Sequence, residues 1–151
     1  MLAPHKSTPR WQSIAALPLV ARVIDGQLEA AEEQYRLLRL ARPGSLDNAT
    51  VERVVRVFTE EVELLAVYSE QLDRWRSGAL TVAQRLEVER LRGQLAHNRD
   101  VDGAILTLAE NLKATTIDAI LAKSDLELGL EFLTDRSPLF PRDPPWRPQP
   151  Q

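Results

Sequence analysis

The sequence predicts an all-α fold: an antiparallel bundle of three long helices, a short C-terminal helix folded on its end, and an extended, proline-rich tail. Three observations carry that expectation. Hydrophobic residues fill 44% of the 151 positions, enough for a core, while aromatics are only 5% and glycines only six, which speaks against turn-rich sandwiches and barrels. Apolar residues recur at three- and four-residue spacing over three long stretches, the periodicity of a helix face. Pro43-Gly44 and Ser77-Gly78 separate those stretches, and the length suits a single domain.

Residues 1–10 carry two prolines and mixed polar side chains, so a flexible N-terminal arm is expected ahead of a helical domain over 11–136. Ile14, Leu17, Ala21, Ile24, Leu28, Ala31, Tyr35 and Leu38 keep one unbroken pattern. Pro18 inside that pattern would cost about 3 kcal/mol in a helix interior. The first long helix is therefore expected to start afresh near Pro18 and run to about 41, where Pro43-Gly44 stops it. Lys6 and Arg10 before the apolar run 14–21 loosely resemble a secretory leader, but the pattern continues through any cleavage point and reads as mature helix.

Ser45, Asp47 and Asn48 offer N-caps for a second helix over 48–77, with Val51, Val55, Phe58, Val62, Leu65, Leu72 and Trp75 as its seam. Thr81 and Gln84 form a capping-box pattern that starts a third helix. Its seam passes through Val88, Leu91, Leu95, Asn98, Asp102, Ile105, Ala109 and Leu112 and keeps phase across the polar residues 97–100, which predicts one long helix reaching Ala122. A loop at 97–102 would instead divide it and give four helices. Ser124 and Glu127 repeat the capping pattern, predicting a short terminal helix over 125–134. From 137 to 151, six of 15 residues are proline, and this tail is expected to be extended or disordered.

A formal charge of −3 and a pI near 5.5 remove the electrostatic basis for tight binding to a phosphate backbone. The absence of cysteine excludes disulfides, thiolate metal sites and a cysteine nucleophile. No apolar stretch reaches the 18 residues or so that a membrane span needs. A cytoplasmic protein with no nucleic-acid or membrane partner is the expectation. A di-iron bundle site needs Glu-x-x-His pairs, yet there are only two histidines and Gln94 stands three before His97. Zinc fails for the same shortage, and the dispersed glycines form no phosphate loop, so neither metal nor cofactor is expected.

The densest set of polar chemistry is His97, Asn98, Arg99, Asp100 and Asp102. On a helix, 98 and 102 share a face while 97, 99 and 100 point elsewhere, so the set reads as a register-fixing polar layer in which Asn98 and Asp102 meet Thr59 or Gln34. Arg85, Arg92 and Arg99 form one stripe. In an antiparallel hairpin whose partner positions sum to about 157, they face Asp73 or Glu70, Glu63, and Glu60 or Glu61 respectively. Helix two carries a second apolar line, Val57, Leu64, Val67 and Tyr68, that a three-helix domain does not need for its own core. Trp146 gives the tail an aromatic anchor for some contact.

The function these features predict is a non-enzymatic helical protein-interaction module, an adaptor or regulatory subunit, homodimeric or with a protein partner. The alternative is a small bundle enzyme or ligand-binding protein with a polar pocket near 97–102, which requires His97, Arg99 and Asp102 to converge with Glu60 or Asp25. A DNA-binding regulator ranks third, without a helix-turn-helix signal.

Overall fold

The computed structural model describes residues 10–134, all of whose regular structure is helical. The proposed arm over 1–9 and the proline-rich tail with Trp146 lie outside the described residues. Three helices, α1 (Leu17–Leu40), α2 (Asn48–Arg76) and α3 (Val82–Leu112), pack together, with α3 in contact with both others, and α4 (Ile117–Thr134) follows. A single 3-10 turn, Ile14–Ala16, leads into α1, where Pro18 occupies the first turn and needs no backbone donor.

The starts of α2 and α3 are held by side chains. The Thr50 amide donates to Asp47 Oδ1 at 2.8 Å, which selects Asp47 from the three candidate caps. Thr81 and Gln84 form the full capping box: Gln84 N donates to Thr81 Oγ1 at 3.1 Å and Thr81 N to Gln84 Oε1 at 3.0 Å. Thr81→Ala is expected to cost about 1 kcal/mol in urea unfolding, because the Gln84 amide loses the hydroxyl that accepts from it.

Helix three is continuous through 97–102 but does not reach Ala122. It ends at Leu112, a 3-10 turn covers Lys113–Thr115, and α4 starts at Ile117 and runs for 18 residues, so the terminal helix is neither short nor confined to 125–134. The break has a tertiary cause. Gly44 N donates to Thr115 O at 2.8 Å and Ile117 N to Leu46 O at 2.7 Å, which pins the turn to the α1–α2 loop. Thr116, buried and extended, accepts from Ala119 N and donates to Asn48 Oδ1 at 2.6 Å, so it starts α4 where Ser124 was expected to. Asp118 Oδ2 accepts from Asn48 N at 2.7 Å across the same junction. Gly44, at φ 79°, makes the close approach possible: a Cβ there would stand 3.3 Å from Ile120 Cδ1.

Interhelical pairs define the register. Asp25–Arg90 and His97–Glu32 each join α1 to α3 at a separation of 65 residues, a constant difference that marks helices running the same way. Arg76–Glu89 and Arg92–Asp73 join α2 to α3 with residue numbers that add to 165, the mark of helices running opposite ways. The sum is not about 157, as a symmetric turn predicts. Leu80 tucks back onto the core, and α3 begins beyond the last turn of α2. Arg92 therefore meets Asp73 rather than Glu63, and neither Arg85 nor Arg99 acquires the ion pairs expected of it.

The core is in two parts. One cluster joins Leu17, Val20, Ala21 and Ile24 of α1 to Leu65, Leu72 and Trp75 of α2 and Val88, Leu91 and Leu95 of α3. The other joins Ala31 and Leu38 to Phe58 and Ile105. A strap before α1 closes the first cluster: Gln12 N donates to Gln71 Oε1 at 2.7 Å, and Trp75 Nε1 donates to Gln12 O at 2.9 Å. Arg74 lies over the Trp11 ring at 4.1 Å from its centroid.

Candidate functional site

Between the two apolar clusters the chain places polar side chains from all three helices. Asn98 and Asp102 follow Leu95 and precede Ile105 on α3, Glu61 lies between Phe58 and Leu65 on α2, and Gln27 lies between Ile24 and Ala31 on α1. Asn98 and Asp102 are both 0% exposed. Neither meets Thr59 or Gln34: the Thr59 hydroxyl donates to Val55 O of its own helix at 2.6 Å, and among the described residues both polar side-chain atoms of Asn98, both of Asp102 and Oε1 of Gln27 lack a hydrogen-bond partner. Unpaired buried polar atoms are rare because each forfeits its hydration without replacement.

The electrostatics of this level are one-sided. Burial, with the Glu61 charge second, pushes the Asp102 carboxyl up to about 7. Burial also raises the Glu61 carboxyl. Among the described residues no Arg, Lys or His forms an ion pair with either acid. A carboxylate in this position is held in its neutral form at mildly acidic pH, since nothing there stabilises the charge.

The remaining members of the 97–102 set go elsewhere. His97 is exposed and its Nε2 lies 2.9 Å from Glu32 Oε1. Arg99 is also exposed and borders an open groove of about 380 Å³ between α2 and α3, shared with Ser69, Glu89, Arg92, Leu95 and Ala96. Asp25 is engaged by Arg90 and Gln94. His97, Arg99 and Asp102 thus point to three separate surroundings and do not converge with Asp25 or Glu60. Among the described residues no group of three or more His, Cys, Asp or Glu side chains is placed to hold a metal ion.

On α2, Val57 and Leu64 are 45% and 39% exposed, while Val67 and Tyr68 are half-buried and Tyr68 packs against the first core cluster. Residues 57, 61, 64 and 68 fall at 4-3-4 spacing and share one stripe, so Glu61 belongs to this apolar line. Sequence reasoning weighed Glu61 only as a partner for Arg99. Its place midway between Phe58 and Leu65 was the available signal. Farther along the same side of α2, Gln71 and Trp75 are buried beneath the Gln12 strap. The α4 residues Ile117, Ile120, Leu121 and Leu126 add further exposed apolar surface that the sequence reading did not single out.

Among the described residues no helix is long and apolar enough to cross a membrane. Comparison with protein-family models, with curated proteins and with solved structures finds no match for this chain.

Proposed function

We propose that this chain is a non-enzymatic helical interaction module, an adaptor or regulatory subunit that acts as a homodimer in the cytoplasm. Its unit is an up-down-up antiparallel bundle over 11–136, with the proline-rich tail and Trp146 as an auxiliary arm. One observation carries the reading: α2 buries Val51, Phe58, Leu65 and Leu72 on one stripe and still leaves Val57 and Leu64 in water on the next. A helix with apolar arc to spare gains by a second partner, and a two-fold copy of itself is the simplest.

Light scattering of the full chain over a concentration series tests this. Wild type is expected at twice the chain mass, and Leu64→Asp at the chain mass with unchanged helicity by circular dichroism. A wild-type monomer at all concentrations, or a dimer that Leu64→Asp leaves intact, rejects the assignment.

A second reading, ligand binding near 97–102, has one observation in its favour. Arg99, which pairs with no acid among the described residues, borders the groove with Ser69 and with Arg92, itself paired with Asp73 and with Glu89 of the groove wall, and the Arg99 guanidinium suits a small carboxylate or phosphate. Calorimetric titration with inorganic phosphate and with acetate is its test, and heats no larger than those of an Arg99→Ala variant reject it.

A further inference from the structure

We propose that the end of the bundle where α1 begins is a peptide slot that reads an extended segment through its main chain, and that Pro145-Trp146-Arg147 of the same chain is a second ligand for it. The slot is filled here by Trp11 and Gln12. The inference goes beyond the homodimer reading above and does not depend on it.

The contacts of the present occupant define what the slot accepts. Gln71 and Trp75 stand one turn apart on α2, both more than nine-tenths buried, and aim their polar atoms at the backbone of Gln12. The Gln71 side chain accepts from Gln12 N at 2.7 Å and donates to Gln12 O at 3.4 Å, and Trp75 Nε1 donates to the same carbonyl at 2.9 Å. The side chain of Gln12 is exposed and turns its Nε2 back to Arg10 O at 3.2 Å. Main-chain groups thus hold the segment, and residue 12 contributes no identity to the fit. Identity comes from the residue before it, whose indole ring lies 4.1 Å from the Arg74 guanidinium carbon. The slot therefore asks for an aromatic ring followed by a residue with a free backbone N–H.

The chain meets that requirement twice. Of its three tryptophans, Trp75 belongs to the slot itself, and the other two have similar settings: Pro9-Arg10-Trp11-Gln12 and Pro144-Pro145-Trp146-Arg147. Arg147, like Gln12, keeps its backbone N–H. The flanking prolines of the tail fall where the slot needs no donor. Pro145 takes the place of Arg10 and Pro148 that of Ser13, and among the described residues neither Arg10 N nor Ser13 N makes a hydrogen bond. Ser13 has φ −69° and ψ 161°, so its φ is the one a proline ring imposes and its ψ is that of extended chain. Prolines on both sides restrict the free segment in advance and lower the entropy lost on docking.

The tail has length enough to act from its own chain. Eleven residues, 135–145, separate α4 from Trp146 and extend to about 36 Å. The sum of 165 that relates α2 to α3 sets Gln71 and Trp75 opposite positions 94 and 90 of α3, roughly 30 Å of helix from its end at Leu112. A tethered ligand competes at an effective concentration far above that of a free one. Loss of the Trp11 ring, which weakens the strap, hands the slot to the tail.

Hydrogen exchange at the Trp75 indole N–H, followed by NMR on the full chain, reports whether a carbonyl covers it. Trp146→Ala, with the strap in place, and Trp11→Ala, with the tail in its stead, are each expected within about threefold of the wild-type rate, and the double variant at least about tenfold faster. In the Trp11→Ala chain, Arg147→Pro deletes the N–H that Gln71 Oε1 would accept and is expected to match the double variant, whereas Arg147→Ala keeps the slow rate. The Leu91 amide, deep in the first core cluster, is expected to exchange at the wild-type rate in every variant.

Trp11→Ala exchanging as fast as the double variant means that the tail does not enter the slot, and overturns the proposal. A double variant as slow as wild type does the same, since neither ring then matters. Protection that survives Arg147→Pro overturns the main-chain reading. If the Leu91 amide quickens together with the indole, the bundle and not the slot has opened, and the proposal fails. Repeating Trp11→Ala at about tenfold higher chain concentration tests the tether. An unchanged rate supports delivery from the same chain, and a slower one assigns the tail to another copy and overturns the intramolecular exchange.

Discussion

Asp102→Leu is expected to stabilise the fold at pH 8 by about 3 kcal/mol, a rise for a substitution that deletes a fully buried charged residue. Among the described residues the carboxylate has no hydrogen-bond partner and no cation beside it, so its removal breaks no hydrogen bond or ion pair with them and ends a desolvation penalty. The gain depends on pH in a fixed direction. The Asp102 carboxyl is raised from 3.8 to about 7 in the folded chain. Unfolded chains therefore release this proton first, and wild-type stability falls as pH rises from about 4 to about 7 and levels off above that. Asp102→Leu lacks this slope, so its advantage shrinks towards pH 4. Urea unfolding of both proteins at pH 4, 6 and 8, at one chain concentration, reads the effect directly. A loss of stability at pH 8 would mean that the carboxylate has found a partner.

Two adjacent leucines of α2 provide the second large effect. Leu65 is 0% exposed in the first core cluster and Leu64 is 39% exposed on the next stripe. Leu65→Ala is expected to cost about 3 to 4 kcal/mol, the transfer of the lost carbons plus the cavity they leave. Leu64→Ala should cost below about 0.5 kcal/mol in the monomer, since water already reaches that side chain. Denaturant midpoints of the two variants, measured in the Leu64→Asp background for Leu65→Ala, keep folding apart from assembly. Equal costs at the two positions would contradict the assignment of core and surface stripes.

What the sequence disclosed follows from what periodicity can carry. The starts of α1, α2 and α3 were legible because caps are local: Pro18, Asp47 and the Thr81–Gln84 pair each act within one turn, whereas the Ser124–Glu127 pattern misplaced the start of α4. The seam of α3 was legible through Asn98 and Asp102 because a polar residue keeps its phase. Axial register between helices was not, since a repeat of three and four fixes which face is buried but not how far one helix slides along another; Arg92 met Asp73 instead of Glu63 for that reason. The end of α3 was hidden too. It is set by hydrogen bonds from Gly44 and to Leu46, some seventy residues away, and left only the β-branched pair Thr115–Thr116 as a local trace. Glu61 was hidden differently. Its neighbours mark it as a core-edge position, but its closeness to the buried Asp102, whose carboxyl its charge helps to raise, is set between helices and lies in no single-helix pattern.

The central place of α3 also sets the order in which the chain can become compact during synthesis. Both core clusters draw on α3, and it is the last of the three packed helices to leave the ribosome. Until Val88, Leu91, Leu95 and Ile105 have emerged, α1 and α2 have no third face to close against and display their apolar stripes to solvent. The Gln12 strap can engage Gln71 and Trp75 earlier, and so can hold the first and second helices near each other while the third is being made. Nascent chains stalled before α3 are therefore the ones that need chaperone cover, and release of α3 is the event that ends that need.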